Sequence, residues 1–240
     1  MPCDMTCVLR RVMAMKGGTG VVISMDTARL QEQILAIGRE LVQSGLVAGT
    51  WGNLSAWDEE KGGFWITPSG MDYLTLTAAD LVLLNLDGAV LEGCRKPSSE
   101  HMLHRAIYSG RPDVKAIVHT HSIYATAHAV CRTALPGIVE DLVQSVGGSV
   151  EVASYASPGS AALAQAALAA LGERSAVLLA NHGLVGVGPS LPEALKVCQV
   201  VEKSAHIYAV ARQLGQPVVL SSEEIRAMRQ VYLEHYGQRL

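Results

Sequence analysis

The sequence predicts a single α/β domain, and three observations lead to that prediction. Segments with the helical spacing of apolar residues alternate with short apolar, strand-like segments along the whole chain. No Pro/Gly/Ser-rich linker and no internal repeat divides the 240 residues. Hydrophobic residues make up 49% of the chain and charged residues 17%, with Phe64 as the single phenylalanine, a composition that favours aliphatic packing of helices on a sheet.

The first half of the chain contains two predicted helices and several short strands. Residues 27–45 form an amphipathic helix, because apolar residues recur at helical spacing before Gly45. A turn over residues 49–53 leads into a strand, and residues 64–67 form a second strand. Residues 80–86 and 90–91 pair around the Asp87-Gly88 turn. The second helix begins near Ser98, where serines can cap its free amides, and runs to about residue 108.

The second half alternates in the same way. Strands are predicted at residues 116–121, 150–153 and 176–180, and helices at residues 122–130, 160–171, 191–213 and 221–236. The segment before Gly147-Gly148 has no clear pattern. This half therefore extends the same α/β domain.

The domain is predicted to cover residues 26–240, preceded by a flexible extension over residues 1–25. That extension has basic residues and a Gly17–Gly20 run but lacks the apolar segment and cleavage site of a signal peptide. No apolar run approaches the length of a membrane span. The net charge of −3 gives no electrostatic reason to expect nucleic acid binding. The five cysteines contain no CxxC pair, so a cysteine zinc site is not indicated. We expect a cytoplasmic protein.

Three histidines follow or end apolar strands. His119 and His121 lie one residue apart, so in a strand both side chains point to one face. His182 follows the apolar strand at residues 176–180. Three protein ligands with one open position are typical of catalytic zinc sites. Ordinary core or surface histidines remain the alternative.

Glu100 stands at the predicted start of a helix. Its carboxylate could be a fourth metal ligand or a proton carrier, or only a charge favoured by the helix dipole. Small donors in turns form a second group, which could bind a phosphate through amides and hydroxyls. These residues are Gly52, Asn53, Thr67, Gly70, Ser98 and Ser99. Turns are generally rich in such residues, so this pattern alone is weak.

Five motifs in one order resemble the class II aldolase/adducin family, most closely its L-fuculose-1-phosphate aldolase branch. They are Gly-Thr-Trp-Gly-Asn-Leu-Ser, Ile-Thr-Pro-Ser-Gly, Lys-Pro-Ser-Ser-Glu, Val-His-Thr-His-Ser and Ala-Asn-His-Gly. The likeness spans about residues 27–236. It implies a three-layer domain with a central, largely antiparallel sheet between helices, one Zn²⁺ or another divalent metal per subunit, and a homotetramer with active sites at subunit interfaces.

The resemblance also implies roles for individual residues. His119, His121 and His182 match the zinc ligands, and Glu100 matches the catalytic glutamate that can approach the metal. The six small donors match the site for the substrate phosphate. Tyr236 matches a C-terminal catalytic tyrosine that reaches a neighbouring subunit. The implied reaction is reversible cleavage of a ketose 1-phosphate to dihydroxyacetone phosphate and an aldehyde.

One departure leaves the sugar open. The family's aldolase has a tyrosine acid shortly before the Gly-Gly that Gly147-Gly148 resembles, whereas this chain has Val139-Glu140-Asp141 there. Either carboxylate could replace the tyrosine, or the two could be a solvated pair. The sugar could be fuculose, rhamnulose, or a deoxy or sulfur-bearing pentulose phosphate. A 4-epimerase or decarboxylase on the same scaffold is the alternative enzyme, although 4-epimerases tend to carry aspartate at position 100. An adducin-like interaction module is disfavoured by the intact histidines.

Overall fold

A computed structural model describes residues 25–235 and contains one continuous sheet with helices on both faces. The strands are β1 (Asn53–Asp58), β2 (Gly63–Ile66), β3 (Val82–Leu84), β4 (Val90–Glu92), β5 (Ala116–Thr120), β6 (Glu151–Ala153), β7 (Ala176–Leu179) and β8 (Gly183–Gly188). The helices within these residues are α1 (Met25–Gln43), α2 (His101–Gly110), α3 (Ile123–Cys131), α4 (Glu140–Val146), α5 (Ala161–Leu171), α6 (Leu191–Leu214) and α7 (Ser222–His235).

The eight strands lie in the order β4-β3-β2-β1-β5-β8-β7-β6. Neighbouring strands are antiparallel except for β6 and β7, which are parallel. The predicted α/β class with a largely antiparallel central sheet is therefore confirmed. The centre of the sheet is formed by β1, β5 and β8, and these are the strands that carry or flank the predicted histidines.

Two apolar layers lie on opposite faces of the sheet, because successive side chains of a strand alternate in direction. Leu54 and Val118 belong to the layer that packs against α1, α3 and α6. Phe64 and Ile117 belong to the layer that packs against α2 and α5. The sheet is thus the middle of three layers, and α2 and α5 cover the face toward which Ile117 points.

Two elements differ from the sequence expectation. Helix α4 lies in the segment for which no structure was predicted, and strand β8 directly follows His182, where no strand was predicted. The predicted strand over residues 80–86 is shorter, because the Asp80 carboxylate accepts hydrogen bonds from the backbone amide and hydroxyl of Thr77 and closes a 3₁₀ turn at Ala78–Asp80. The other helices and strands occur where predicted, with ends shifted by a few residues.

Two predictions fall outside the described residues. These are the flexible extension, of which residues 1–24 lie outside, and the catalytic Tyr236. Among the helices of residues 25–235, none is both long and apolar enough to span a membrane.

Candidate metal centre

Strand pairing brings the predicted site residues together at one end of the sheet. In the antiparallel pair of β1 and β5, Asn53 lies directly opposite His119. Side chains two residues apart share a face, so His119 points to the same side as Ile117, toward α2. Helix α2 begins at this end, and Glu100 stands just before its first residue. The turn between β7 and β8 supplies His182.

The three histidines converge on one point through their Nε2 atoms. His119 Nε2 lies 3.0 Å from His121 Nε2 and 3.3 Å from His182 Nε2. All three rings offer a ligand atom within 4.8 Å of one another. Zinc–nitrogen bonds of about 2.0–2.1 Å in a tetrahedral site separate the nitrogens by roughly 3.3–3.4 Å. The spacing of the imidazoles therefore fits a single small divalent ion.

The tautomer of His119 also fits a metal ligand. Its Nδ1 lies 2.9 Å from the Leu184 carbonyl oxygen, so Nδ1 carries the proton and donates to that oxygen. The Nε2 lone pair is then left facing His121, His182 and Glu100. A backbone carbonyl that fixes the ring in this way is the usual outer partner of a metal-binding imidazole.

The other two rings are held neutral. Burial, followed by the neighbouring His119, lowers the pKa of His121 and that of His182 to about 4. At neutral pH both rings therefore have an unprotonated nitrogen. Neutral imidazole is the form that binds a metal ion.

Glu100 closes the site on the side of α2. Its Oε2 accepts a hydrogen bond of 2.9 Å from Asn53 Nδ2 and lies 3.2 Å from His119 Nε2, and its Oε1 lies 3.4 Å from His182 Nε2. Burial raises the pKa of this carboxyl, whereas His119 and His182 in their protonated form and the hydrogen bond from Asn53 lower it. Oε1 is buried and accepts no hydrogen bond from any residue of the described range 25–235, which leaves a lone pair at the centre of the cluster.

Two glycines give the backbone room around the histidines. Gly52 has a φ of +80°, and a β-carbon there would lie 2.6 Å from the His119 carbonyl oxygen. A β-carbon on Gly183 would collide with the Thr120 carbonyl oxygen and lie 3.1 Å from His121 Cδ2. Only glycine tolerates such close approach without displacing a neighbour. The two positions thus allow β1 and β8 to press against the histidine-bearing strand.

Backbone hydrogen bonds assemble the three turns that carry the six small donors. Thr67 N donates to the Leu54 carbonyl at 3.2 Å, and Ser98 N donates to the Thr67 carbonyl at 3.1 Å. The turn after β2 therefore lies between the start of β1 and the start of α2. The structure brings these turns to the end of the sheet where Glu100 and His119 lie.

The six residues are not equally available to a ligand. Both polar groups of the Asn53 amide are used inside the protein, by Glu100 and by His104. Ser98 Oγ accepts a hydrogen bond from Glu100 N at 3.2 Å. Ser99 and Gly70 are exposed, whereas Thr67 is buried and its Oγ1 lies 3.3 Å from Leu54 N.

Three polar residues near the site stand outside the predicted sets of metal ligands and phosphate donors, although a structural or supporting role was expected for His104. Ser55, His104 and Tyr108 form a fully or almost fully buried group behind Asn53. Periodicity could have found them: Asn53 and Ser55 share a strand face, and Glu100, His104 and Tyr108 recur every four residues on one helix face. A polar stripe on the inner face of a helix signals a buried network.

Of the two carboxylates considered as substitutes for the tyrosine acid, Asp141 is engaged elsewhere. It forms an ion pair with Lys203 of α6. Glu140 is exposed on the first turn of α4.

Trp51 borders the cluster on its outer side. Its ring centroid lies 5.8 Å from that of His121, and 66% of the residue is exposed. A large aromatic side chain thus stands at the edge of the candidate metal centre.

Comparison with known proteins identifies similar proteins over most of the chain. Residues 32–209 match the family model described as Class II Aldolase and Adducin N-terminal domain. A 5-deoxy-D-ribulose 1-phosphate aldolase of Bacillus thuringiensis serovar kurstaki is 41% identical over 209 residues, which cover 87% of this chain and 97% of that protein. An L-fuculose phosphate aldolase of Escherichia coli K12 is 35% identical over 217 residues, which cover 90% of this chain and 99% of that protein.

Solved structures give the same result. A structure described as L-fuculose 1-phosphate aldolase superposes with a TM-score of 0.83 at 40% identity. The match covers 88% of this chain and 97% of the other. The similarity therefore extends from the sequence to the arrangement of the sheet and helices.

Proposed function

The chain belongs to the class II aldolase and adducin family and is a lyase of the aldolase type, and we propose that it cleaves a ketose 1-phosphate reversibly into dihydroxyacetone phosphate and an aldehyde. The observation that carries this proposal is the convergence of three imidazole Nε2 atoms and both oxygens of Glu100 on one point. The proposed catalytic domain spans residues 26–240.

We propose that His119, His121 and His182 hold one Zn²⁺, with Glu100 able to approach as a fourth ligand. Imidazoles with a carboxylate suit zinc, and other divalent metals of similar preference are possible occupants. When bound, the ion would supply Lewis-acid stabilisation of negative charge on substrate oxygens. The lone pair of His119 Nε2 and the unpartnered Oε1 of Glu100 both support this assignment.

Glu100 is proposed to move the proton of the reaction. The bond between carbons 3 and 4 of the ketose breaks as the hydroxyl on carbon 4 loses its proton and becomes the aldehyde, and carbon 3 gains one proton to become the hydroxymethyl carbon of dihydroxyacetone phosphate. A carboxyl group beside that carbon can return the proton in cleavage and remove it in condensation. The hydrogen bond from Asn53 holds the carboxylate in place for both directions.

The phosphate is proposed to bind where the three turns meet at the start of α2. Backbone amides and the positive end of a helix dipole favour an anion there. Gly52, Gly70 and Ser99 are the more accessible members of the predicted set, together with Thr67 and Ser98. A phosphate fixed in this position would place the reacting carbons beside Glu100, which lowers the entropic cost of reaction.

A pentulose substrate without a terminal hydroxyl is the proposed sugar. Cleavage of a 5-deoxypentulose 1-phosphate releases acetaldehyde, whereas cleavage of fuculose 1-phosphate releases a hydroxyaldehyde. The chain is more similar to the deoxyribulose phosphate aldolase than to the fuculose phosphate aldolase of E. coli. The absence of a tyrosine before Gly147-Gly148 also argues against fuculose itself.

Oligomerisation and the tail belong to the same proposal. We infer a homotetramer with active sites between subunits and Tyr236 reaching a neighbouring site. The described surface supports association: Ile123, close to His121, is 73% exposed, and Leu214 is 86% exposed. Helix α7 has no buried residue, although Val231 and Leu233 lie on it. Contiguous exposed apolar patches often mark contact surfaces, and we assign these residues to such patches. A cytoplasmic location would match a phosphorylated sugar substrate.

The test is a product assay on the zinc-loaded protein with 5-deoxyribulose 1-phosphate, fuculose 1-phosphate and rhamnulose 1-phosphate. Release of dihydroxyacetone phosphate from at least one of them is expected. Conversion to a stereoisomer alone would favour a 4-epimerase, and release of carbon dioxide from an acidic sugar phosphate would favour a decarboxylase. Failure of the zinc-loaded protein to release dihydroxyacetone phosphate from all three compounds would contradict the proposal.

A further inference from the structure

A chain of buried hydrogen bonds runs from Tyr108 to Glu100. The Tyr108 hydroxyl lies 2.8 Å from Ser55 Oγ, which lies 2.6 Å from His104 Nδ1. His104 Nε2 lies 2.5 Å from Asn53 Oδ1, and Asn53 Nδ2 lies 2.9 Å from Glu100 Oε2. The five side chains come from β1, from α2 and from the residue just before α2, and His104 is completely buried.

Chemistry fixes the direction of every hydrogen bond in this chain. An ionised carboxylate only accepts, so the Asn53 amide must turn its nitrogen toward Glu100 and its oxygen toward His104. His104 must then carry its proton on Nε2, which leaves Nδ1 to accept from the Ser55 hydroxyl. Ser55 Oγ in turn accepts from Tyr108. Every donor points toward the carboxylate, and aligned hydrogen bonds of this kind polarise one another.

We propose that this series of hydrogen bonds, called the relay below, positions the carboxylate of Glu100. In the relay, His104 acts on Glu100 through Asn53. The inference rests on the proposed function, in which Glu100 moves the proton. It assigns His104, Ser55 and Tyr108 as positioning residues that do not contact the substrate. It also assigns the Asn53 side chain to Glu100 rather than primarily to the substrate phosphate.

The surroundings explain why an imidazole is suited to this position. Burial lowers the pKa of His104 to about 3, so the ring stays neutral and keeps one donor and one acceptor. A neutral ring can link a hydroxyl on one side to an amide oxygen on the other. If the ring turned its unprotonated nitrogen toward Asn53 Oδ1, two buried acceptors would face each other, and neither would have its hydrogen bond.

Two substitutions of His104 distinguish a role in the hydrogen bonds of the relay from a role in packing alone. In His104→Gln the amide nitrogen can reach the place of Nε2 and donate to Asn53. In His104→Asn the shorter amide lies near the place of Nδ1, where it can meet Ser55 but not Asn53. Both variants keep a polar side chain in the same buried position, so each is the control for the other.

The measurement is the exchange of one hydrogen of dihydroxyacetone phosphate with deuterated water, without aldehyde, on the zinc-loaded variants. His104→Asn is expected to lose exchange about 10- to 100-fold, the range typical of outer partners of a site, while KM and zinc content stay near those of the unmodified protein. His104→Gln is expected to retain most of the exchange. Equal losses in the two variants at equal unfolding midpoints would overturn the relay.

A double-mutant cycle tests whether His104 acts through Glu100. In a Glu100→Gln background, adding His104→Asn should lower the residual exchange no further, because residues that act through one group are not additive. A full additional loss would show that His104 acts by another route. If His104→Asn does not fold, Ser55→Ala replaces it. That variant removes the donor to Nδ1 of His104 and should lower exchange without affecting zinc content. Unchanged exchange in Ser55→Ala would overturn the relay.

The tautomer of His104 tests the relay independently of activity. Nitrogen-15 spectra of histidine-labelled, zinc-loaded protein should show His104 protonated at Nε2 and unprotonated at Nδ1, with the signal assigned by its loss in His104→Gln. The opposite tautomer or a doubly protonated ring would overturn the inference. If the unmodified protein exchanges no hydrogen at all, the proposed function fails, and the tautomer still decides whether the relay exists.

Discussion

Substituting Gly183 by alanine should weaken zinc binding as well as stability, because this position lies against the histidine cluster. The added methyl group would collide with the Thr120 carbonyl oxygen and lie 3.1 Å from His121 Cδ2 and 3.2 Å from His119 Cε1. The carbonyl belongs to the centre of the sheet and cannot move alone. Relief of the collision must therefore displace β5 or the turn that carries His182.

The size of the effect follows from the cost of overpacking. Such insertions cost about 1–3 kcal/mol, and one kcal/mol lowers the melting temperature of a protein of this size by about 2–4 °C. We therefore expect the metal-free Gly183→Ala variant to melt about 2–12 °C lower. Displaced ligands should weaken zinc binding by about 10- to 100-fold, as changes around a metal site commonly do.

Gly186 on the same strand provides the matched control. A β-carbon there would lie 2.6 Å from Cys198 Sγ and 2.9 Å from the Ala194 carbonyl oxygen, toward α6 and away from the histidines. Gly186→Ala should lose stability in the same range but bind zinc normally. Calorimetry of the metal-free proteins and zinc competition against a chelating dye measure the two quantities. Equal zinc affinity in the two variants would refute the reasoning.

Three further predictions concern the same site. Zinc should change the fluorescence of the protein through Trp51, whose ring lies 5.8 Å from that of His121; a change that persists in Trp51→Phe would contradict this. The unfolding free energy of the metal-free protein should fall as the pH is lowered from about 6.5 to 4. In the folded protein the pKa of His121 and that of His182 are lowered to about 4, so between these pH values the unfolded chain binds more protons than the folded one. A pH-independent urea midpoint would contradict it. Removal of residues 236–240, which include Tyr236, should lower turnover while zinc content stays unchanged; unaltered turnover would make the tail dispensable.

Much of the fold could be predicted because most elements carry strong local signals. The helix at residues 161–171 is bounded by the capping Ser160 and by Gly172, and the strand at 176–179 is a continuous apolar run. Strand β8 could not be predicted in this way, because Gly183, Gly186 and Gly188 have little propensity for strands. Their small size is required by tertiary contacts: Gly186 lies against Cys198 and Gly188 against Ala194 of α6.

The candidate site was predicted in composition but not in its internal connections. His119 and His121 could be found from strand periodicity and His182 from its place after an apolar strand, and their convergence depends on the register that pairs β5 with β1 and β8. The sequence grouped Asn53 with the phosphate donors, since turn residues give no indication of their tertiary partners. Its bonds to Glu100 and His104 depend on how helix α2 lies across the start of β1, which no local pattern specifies.

The most direct test of the central account is hydrogen exchange at dihydroxyacetone phosphate. A carboxylate beside a metal-activated ketone can remove the proton of the adjacent carbon without any aldehyde, so the zinc-loaded protein should exchange one hydrogen of this compound with deuterated water. Glu100→Gln has nearly the same size as the unmodified residue and should retain zinc, yet its exchange should fall by about 10²–10⁴-fold, the usual contribution of a general base. Exchange at the normal rate in zinc-loaded Glu100→Gln would contradict the account.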